Sequence, residues 1–330
     1  MNIRQVVLPN DLDIMETLIL KGFEYPDHPE WGIQPDEIAG RVDRMRGMKR
    51  SWPLLRLLRF FSPLMRDSMR GVIAEEGGKP VGLNNYARNS SEPEWFLFNA
   101  AVMPEYRRKG IGRQLLAAVQ EDLRQRKAHT LILNIIDKNV PSLNLCQSMG
   151  FEIYTSSVIL DIEADTTIAE PSLPPGWSIA PRSRFDWRTQ FELAKRITPE
   201  NVQRYEPTDE KRFRMPIIRP LLGPFFEKMG GNASRRFTLR APDGKVVAVS
   251  GAWFRVNPGG TNDAGIDLDP AHPEMAAFML AHIISTIQRL SPGRRIELEL
   301  ESWQPALIEA AEKLGCKKRF TANRLGMKLT

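Results

Sequence analysis

Trp95 to Gly112 reads WFLFNAAVMPEYRRKGIG: an apolar run, a basic loop and two closely spaced glycines. WFLFNAAV, from Trp95 to Val102, has the length and composition of a strand. Beyond the glycines, Ile111, Leu115, Val119 and Leu123 recur every four residues with Leu116 beside them, the buried face of a helix. The loop from Met103 to Lys109 therefore joins a strand to a helix start, and Arg107, Gly110 and Gly112 fall in the spacing RxxGxG. Glycine lets the chain bend sharply and lets amides approach an anion with no Cβ in the way. The unpaired N–H groups and the dipole at a helix start favour negative charge. Arg107, Arg108, Lys109 and Arg113 add cations, so the loop reads as a pyrophosphate cradle. Taken alone, the spacing also fits a plain glycine-bearing helix start.

The flanks extend the pattern. VIAEEGGKPVGLNNYAR, from Val72 to Arg88, reads as a hairpin closed by Glu-Gly-Gly-Lys. LILNII, from Leu131 to Ile136, is short and continuously apolar, as a buried strand is. Asn139 is placed to cap a second helix, with Pro141 in its first turn and Gly150 at its left-handed end. FEIYTSSVILDIE, from Phe151, reads as a closing hairpin. ADTTIAEPSLPPG, 164–176, breaks all periodicity and reads as a linker.

A shift of about 165 positions brings the second half into register with the first. Trp52-Pro53-Leu54-Leu55-Arg56 answers to Met215-Pro216-Ile217-Ile218-Arg219, and Phe60-Phe61 to Phe225-Phe226. Pro104 answers to Pro270, LILNII to IELELE from Ile296, and Met149-Gly150 to Leu314-Gly315. An ordered series at constant offset indicates a tandem repeat.

The strand-loop-helix placement, Val-x-Pro upstream, RxxGxG, the buried strand, and Asn139 twelve residues before Phe151 together resemble the GCN5-related N-acetyltransferase (GNAT) family, across nearly all of residues 1–163. The resemblance implies an α/β (α+β) fold with two tandem GNAT-like domains, each a mixed, mostly antiparallel splayed sheet flanked by helices. It divides the chain into 1–163, with the acyl-CoA motif intact, the linker 164–176, and a degenerate copy, 177–330. It implies acetyl-CoA as co-substrate, with no metal. The pantetheine arm would lie in the splay, against Ala101, Val102 and Met103. Arg107, Arg108, Lys109, Gly110, Ile111, Gly112 and Arg113 would hold the pyrophosphate, and Asn139 and Ser142 would complete the cofactor site.

The implied activity is transfer of acetyl to an amine by direct attack on the thioester. A lysine-like amine has a pKa near ~10.4, so freeing its lone pair at neutral pH costs roughly 4 to 5 kcal/mol and calls for a base or a water chain. Glu94, opening the strand toward Val102, is the candidate base, and a solvated strand-end residue is its other reading. His28, in YPDHPEW, is a lesser candidate and reads as a loop residue. Where the family keeps its leaving-group acid, a tyrosine seven residues after the asparagine, this chain has Cys146. It is either a proton donor to the coenzyme thiolate or an apolar filler. With neither group acting, positioning and backbone polarisation would carry the reaction. The departure motivates an alternative, a non-catalytic acyl-CoA sensor or scaffold; transfer of a longer acyl chain is another.

At the positions answering to Arg107, Gly110 and Gly112 the second half has Pro273, Ala276 and Phe278, with no basic cluster. A bulky aromatic in place of the phosphates implies a copy that keeps the fold without the cofactor site. Ile33 to Arg70, with its core WPLLRLLRFFSPLMRDSMR, is where acceptor contacts are expected. It reads as a helical cover, a lid over an apolar pocket, or an interfacial helix.

Composition sets the outer bounds. With 330 residues, 42% hydrophobic and 26% charged, the chain suits two globular cores. Two distant cysteines, Cys146 and Cys316, suggest neither a disulfide framework nor a zinc site. The start, MNIRQVVLPNDLD, lacks the pattern of an export signal, and no stretch reaches ~18 apolar residues. A cytoplasmic protein acting on a small-molecule or protein amine is expected, with no membrane partner. The net charge of +6 is not accompanied by a nucleic-acid motif, so nucleic acid is not an expected partner either.

Overall fold

The computed structural model describes residues 1–88, 93–214 and 218–329. It divides into two compact units, Met1–Tyr154 with Asn323–Thr330, and Thr155–Ala322.

Unit 1 carries β1 (Asn2–Gln5), α1 (Leu12–Gly22), α2 (Pro35–Arg50), α3 (Trp52–Phe61), α4 (Pro63–Arg66), β2 (Arg70–Glu76), β3 (Lys79–Arg88), β4 (Glu94–Val102), α5 (Ile111–Gln125), β5 (Thr130–Ile136), α6 (Val140–Ser148) and the start of β6 (Glu152–Ile162). Its strands run in the order β1-β2-β3-β4-β5, antiparallel as far as β4, with β4 and β5 parallel. Gly77 and Gly78, both at positive φ, close the β2–β3 hairpin. Beside β5 lies the end of the chain's last strand, where Leu329 N–H donates to His129 O. Ile111, Leu115, Val119 and Leu123 of α5 are buried against Val72, Ala74, Leu131 and Leu133, as their four-residue spacing requires. On the other face Leu12, Met15, Leu18 and Ile19 of α1 cover Ile73 and Leu83. A Cβ on Gly22 would stand 2.6 Å from the Ala101 Cβ, so only glycine lets the end of α1 approach β4 this closely.

Unit 2 takes the rest of β6 and then β7 (Ser178–Pro181), α7 (Trp187–Ile197), α8 (Glu200–Gln203), α9 (Glu210–Phe213), α10 (Ile218–Met229), β8 (Asn232–Arg240), β9 (Val246–Arg255), β10 (Asn262–Leu268), α11 (Ala276–Leu290), β11 (Ile296–Glu301), α12 (Pro305–Lys313) and the first part of β12 (Lys317–Lys328). Its order is β6-β11-β10-β9-β8-β7, with β10 and β11 parallel. The succession of elements repeats that of unit 1, and α10 answers to α3. The segment Met215-Pro216-Ile217 of the repeat lies outside the described residues.

Two expectations meet a different structure. FEIYTSSVILDIE forms one strand, β6, and not a hairpin. Thr155, Ser156 and Ser157 supply no residue suited to a tight turn, and the strand runs on to pair with β11 from Ser157↔Glu301 to Ile162↔Ile296. The compact units accordingly divide at Tyr154 and Thr155, ahead of the position 163 read from the sequence. Residues 164–176 have no regular element, yet Ile168 and Leu173 pack on the unit 2 core, and Gln288 bonds Ile168 N–H and Thr166 O. Among the described residues, no helix is long and apolar enough to cross a membrane.

Candidate active site

In unit 1 the sheet opens where the motif begins. β4 pairs with β5 only from Glu94↔Thr130 to Leu97↔Leu133. Against β3 the register slips between Asn85↔Asn99 and Tyr86↔Leu97, which leaves Phe98 as a bulge. From Phe98 to Val102 the edge of β4 that faces β5 has no ladder partner among the described residues. A splay of this kind leaves backbone N–H and C=O groups available to an extended ligand.

At the open end the loop takes its shape from two left-handed residues, Arg108 at φ 65° and Gly110 at φ 77°. Gly110 is the N-cap of α5 and offers no side chain to cap it. The backbone N–H groups of Arg108 through Arg113 donate to no acceptor among the described residues. A Cβ at Gly110 would meet nothing within 4 Å, so the space above the helix start is open. Arg108, Lys109 and Arg113 are exposed around it; the Lys109 ammonium stands over the Tyr106 ring at 4.8 Å, and Arg113 Nη2 donates to Ser148 Oγ at 2.7 Å.

The Arg107 side chain turns back onto the backbone beneath the loop. Its Nε donates to Val102 O at 3.2 Å, and its Nη2 to Gly22 O at 3.1 Å and Glu24 O at 3.0 Å. The guanidinium thus clamps the end of α1 to the end of β4. Its carbon stands 4.8 Å from the centre of the Tyr25 ring.

Asn139 is the N-cap of α6; its Oδ1 accepts from Ser142 N–H at 3.3 Å. Burial raises the Tyr25 pKa, against the opposing pull of Arg107 and Asn139. His28 stacks on Trp31 at 3.8 Å in the loop after α1 and is half-exposed.

Glu94 and Cys146 are not brought to the open end. Glu94 is buried at the first position of β4, paired with Thr130 in the closed part of the sheet. Four residues separate it from the bulge, about 13 Å of strand. Cys146 is buried in the apolar cluster with Leu133, Ile135 and Phe151, and burial pushes its thiol up to about 12. Ala101 is buried under Gly22, while Val102 and Met103 are half-buried at the mouth. Tyr25 escaped the sequence reading because it lies in a loop with no periodicity; only folding brings it to Arg107 and Asn139.

Unit 2 keeps the splay and closes it. β10 pairs with β11 only from Asn262↔Ile296 to Ala264↔Leu298. At the place answering to Asn139, Gln304 is buried and accepts from Leu268 N–H at 3.1 Å with Oε1. Trp303 packs against Leu193, Ile197 and Val249. The turn before α11, residues 269–275, has no residue at positive φ. It contains a buried carboxylate, Asp269, which accepts from Ala271 N–H and pairs with Arg196 and Lys245. Burial alone would raise the Asp269 pKa, but these partners hold it below the usual carboxylate range. Phe278, expected to block the phosphates, instead turns into the core and stacks on His282 at 5.9 Å. The turn before α11 thus differs from the one before α5, and Gln304 bridges from the start of α12 to the end of β10.

A bulged strand splaying from its parallel neighbour, above an uncapped glycine helix start, defines the class of N-acetyltransferase folds. Residues 40–151 match the model of the acetyltransferase (GNAT) family. Over 59 residues it is 42% identical to the [Ribosomal protein bS18]-alanine N-acetyltransferase of Escherichia coli K12, covering 18% of this chain and 40% of that protein. Over 95 residues it is 35% identical to the peptidyl-lysine N-acetyltransferase YiaC of the same organism, covering 28% of this chain and 58% of that one. The chain thus spans 40% and 58% of the length of these two curated relatives. Among solved structures, a tandem GNAT protein from the clavulanic acid biosynthesis pathway superposes with TM-score 0.67 at 15% identity, covering 100% of this chain and 99% of the other. A GCN5-related N-acetyltransferase from Sphaerobacter thermophilus does so with TM-score 0.64 at 15% identity, covering 99% and 95%. At that identity the likeness is one of fold, and it extends over both units.

Proposed function

We propose that unit 1 binds acetyl-CoA and transfers its acetyl group to an amine, and that unit 2 binds no coenzyme. The reading rests above all on the unpaired amides from Arg108 to Arg113, which face open space at the start of α5. A diphosphate there would accept from several N–H groups at once, favoured by the helix dipole. Arg108, Lys109 and Arg113 would neutralise it, and Arg107 shapes the loop from beneath. The pantetheine arm would add to the free edge of β4 between Phe98 and Val102 as an extended strand, with Asn139 and Ser142 on the opposite rim. Its thioester would then lie near the bulge, where the splay begins.

A neutral amine attacks the thioester carbon, the C–S bond breaks, and coenzyme A leaves as the thiol. With Glu94 at the closed end, we assign removal of the amine proton to water reaching the open splay, and we assign Cys146 a packing role. The acceptor is a protein amine, by analogy with the two relatives, one named for an alanine amine and the other for a peptidyl lysine. The same placement of Glu94 and Cys146 also favours a second reading, a sensor that binds acyl-CoA without turning it over.

Release of thiol from acetyl-CoA separates the two. It is measured with a peptide bearing N-terminal alanine and with an Nα-blocked lysine peptide, over the background with water. The transferase reading expects release above background with at least one peptide. Tight binding of acetyl-CoA without such release contradicts it and supports the sensor.

A further inference from the structure

We propose that α3 and its flanks dock unit 1 on the surface of an anionic lipid bilayer, with Phe60 and Phe61 inserted among the acyl chains. The stretch from Ile33 to Arg70 admits three readings in the sequence: a helical cover, a lid over an apolar pocket, and an interfacial helix. A cover or a lid turns its apolar side chains inward. In α3, WPLLRLLRFF, only Leu55 is buried, while Leu54, Leu57, Phe60 and Phe61 stand 42%, 55%, 81% and 74% exposed. Spacings of three and four residues put these side chains on one side of the helix, and the two rings meet edge to face at 5.2 Å.

Around that apolar stripe the charge is of one sign. Between Asp43 and Asp67 the sequence has seven Lys and Arg and no Asp or Glu. Arg46, Arg50, Arg56 and Arg66 are exposed, and Arg56 lies one turn before Phe60 on the same side of the helix. Arg59 is held back from this surface by Met65 O at 3.4 Å and stands over the Trp52 ring at 5.9 Å.

Unit 2 supplies a contrast. Its α10 answers to α3, and Phe225 and Phe226 meet edge to face at 5.5 Å much as Phe60 and Phe61 do. There both rings are half-buried, α10 packs on β8, and Glu227 is engaged by Arg184 and Ser234. The same aromatic pair belongs to the packing in one copy and stands in solvent in the other.

Charge complementarity selects the occupant. What covers this surface must take up bulky apolar side chains and be anionic around them. A bilayer with acidic headgroups offers hydrocarbon to Leu57, Phe60 and Phe61 and phosphates to the arginines beside them. A soluble phosphate compound supplies only the charge, and a neutral bilayer only the hydrocarbon. A helix of 10 residues is too short to span a membrane, so α3 lies along the interface. None of these side chains belongs to the proposed coenzyme site, so the surface stands or falls apart from acyl transfer.

Co-sedimentation of the full chain with vesicles tests the proposal. The vesicles are phosphatidylcholine alone, or phosphatidylcholine with phosphatidylglycerol at about three to one. Wild type should pellet with the anionic vesicles at low salt, less at high salt, and hardly at all with the neutral ones. Phe60→Ser with Phe61→Ser should weaken partitioning by roughly tenfold or more. Arg56→Gln with Arg66→Gln should weaken it by roughly 10- to 30-fold. Both variants change exposed side chains, so their melting temperatures should match wild type. Failure of wild type to pellet with anionic vesicles at low salt overturns the proposal. So does a Phe60→Ser/Phe61→Ser variant that pellets as well as wild type, since the attraction would then be one of charge alone. Gel filtration provides a third check: a wild-type dimer that this variant dissolves, with no vesicle binding by either, would make the surface an interface between copies and overturn the proposal. Capture by an acidic polypeptide in place of vesicles would overturn it in favour of a protein partner.

Discussion

In unit 1, β4 leaves β5 after Leu97, and the edge of β4 beyond it has no ladder partner among the described residues. In unit 2, β10 leaves β11 after Ala264, and there Gln304 takes the Leu268 N–H while Trp303 packs against Val249. The turns before α5 and α11 differ in the same sense. One presents amides and cations to solvent; the other turns without a left-handed residue and spends its Ala271 N–H on the buried Asp269 carboxylate, itself paired with Arg196 and Lys245. A fold and its ligand site are therefore separable: the splay follows from strand order, while the cradle depends on a few backbone dihedrals and on what fills the gap.

The contrast can be attacked from either side. The largest effect should come from the core of unit 2. Ile283 is fully buried in α11, and Ile283→Ala should cost about 2–5 kcal/mol of unfolding free energy. Coenzyme A affinity at low temperature should not change if unit 2 serves only as a scaffold; urea unfolding and calorimetry together measure this. Gly110→Val should behave in the opposite way. A β-branched residue disfavours φ 77° by about 1–2 kcal/mol and its Cβ meets no neighbour, so the free loop should relax out of that turn and the cost should fall on binding. Coenzyme A should bind roughly 5- to 30-fold more weakly by calorimetry, with little change in melting temperature.

Gln304→Ala removes one buried hydrogen bond and should lower stability by about 1 kcal/mol without creating a second coenzyme site. The matching Asn139→Ala should cost a similar amount through the lost cap and should also weaken coenzyme binding. Chemical denaturation and binding stoichiometry distinguish the pair. The smallest effect concerns acid. Because its partners lower the folded-state pKa of Asp269, its contribution is present above the unfolded value of about 3.9 and is lost as pH falls through the folded value. Asp269→Asn should flatten the fall of stability across that acidic range in a pH series of unfolding curves.

The periodic elements were legible in the sequence. The four-residue spacing from Ile111, the LILNII strand and the two hairpin glycines each state a local rule that the fold obeys. The tandem offset was equally visible, because both halves repeat the same order of elements. What escaped were features decided by partners distant along the chain. β6 runs straight because β11 accepts it, and Phe278 turns inward because the α11 core has room for it. Arg107 spends its guanidinium on three carbonyls that no spacing rule links to it. Glu94 and Cys146 had the right residue types in plausible register, but chemistry read along a strand does not say which end of the splay a side chain occupies.

A crystal structure of the full chain with coenzyme A bound tests the central claim most directly. It should show one coenzyme per chain, its diphosphate accepting from the N–H groups between Arg108 and Arg113 and its pantetheine arm along the β4 edge from Phe98. A loop left empty at Gly110, or a nucleotide seated beside Gln304 in unit 2, would contradict it.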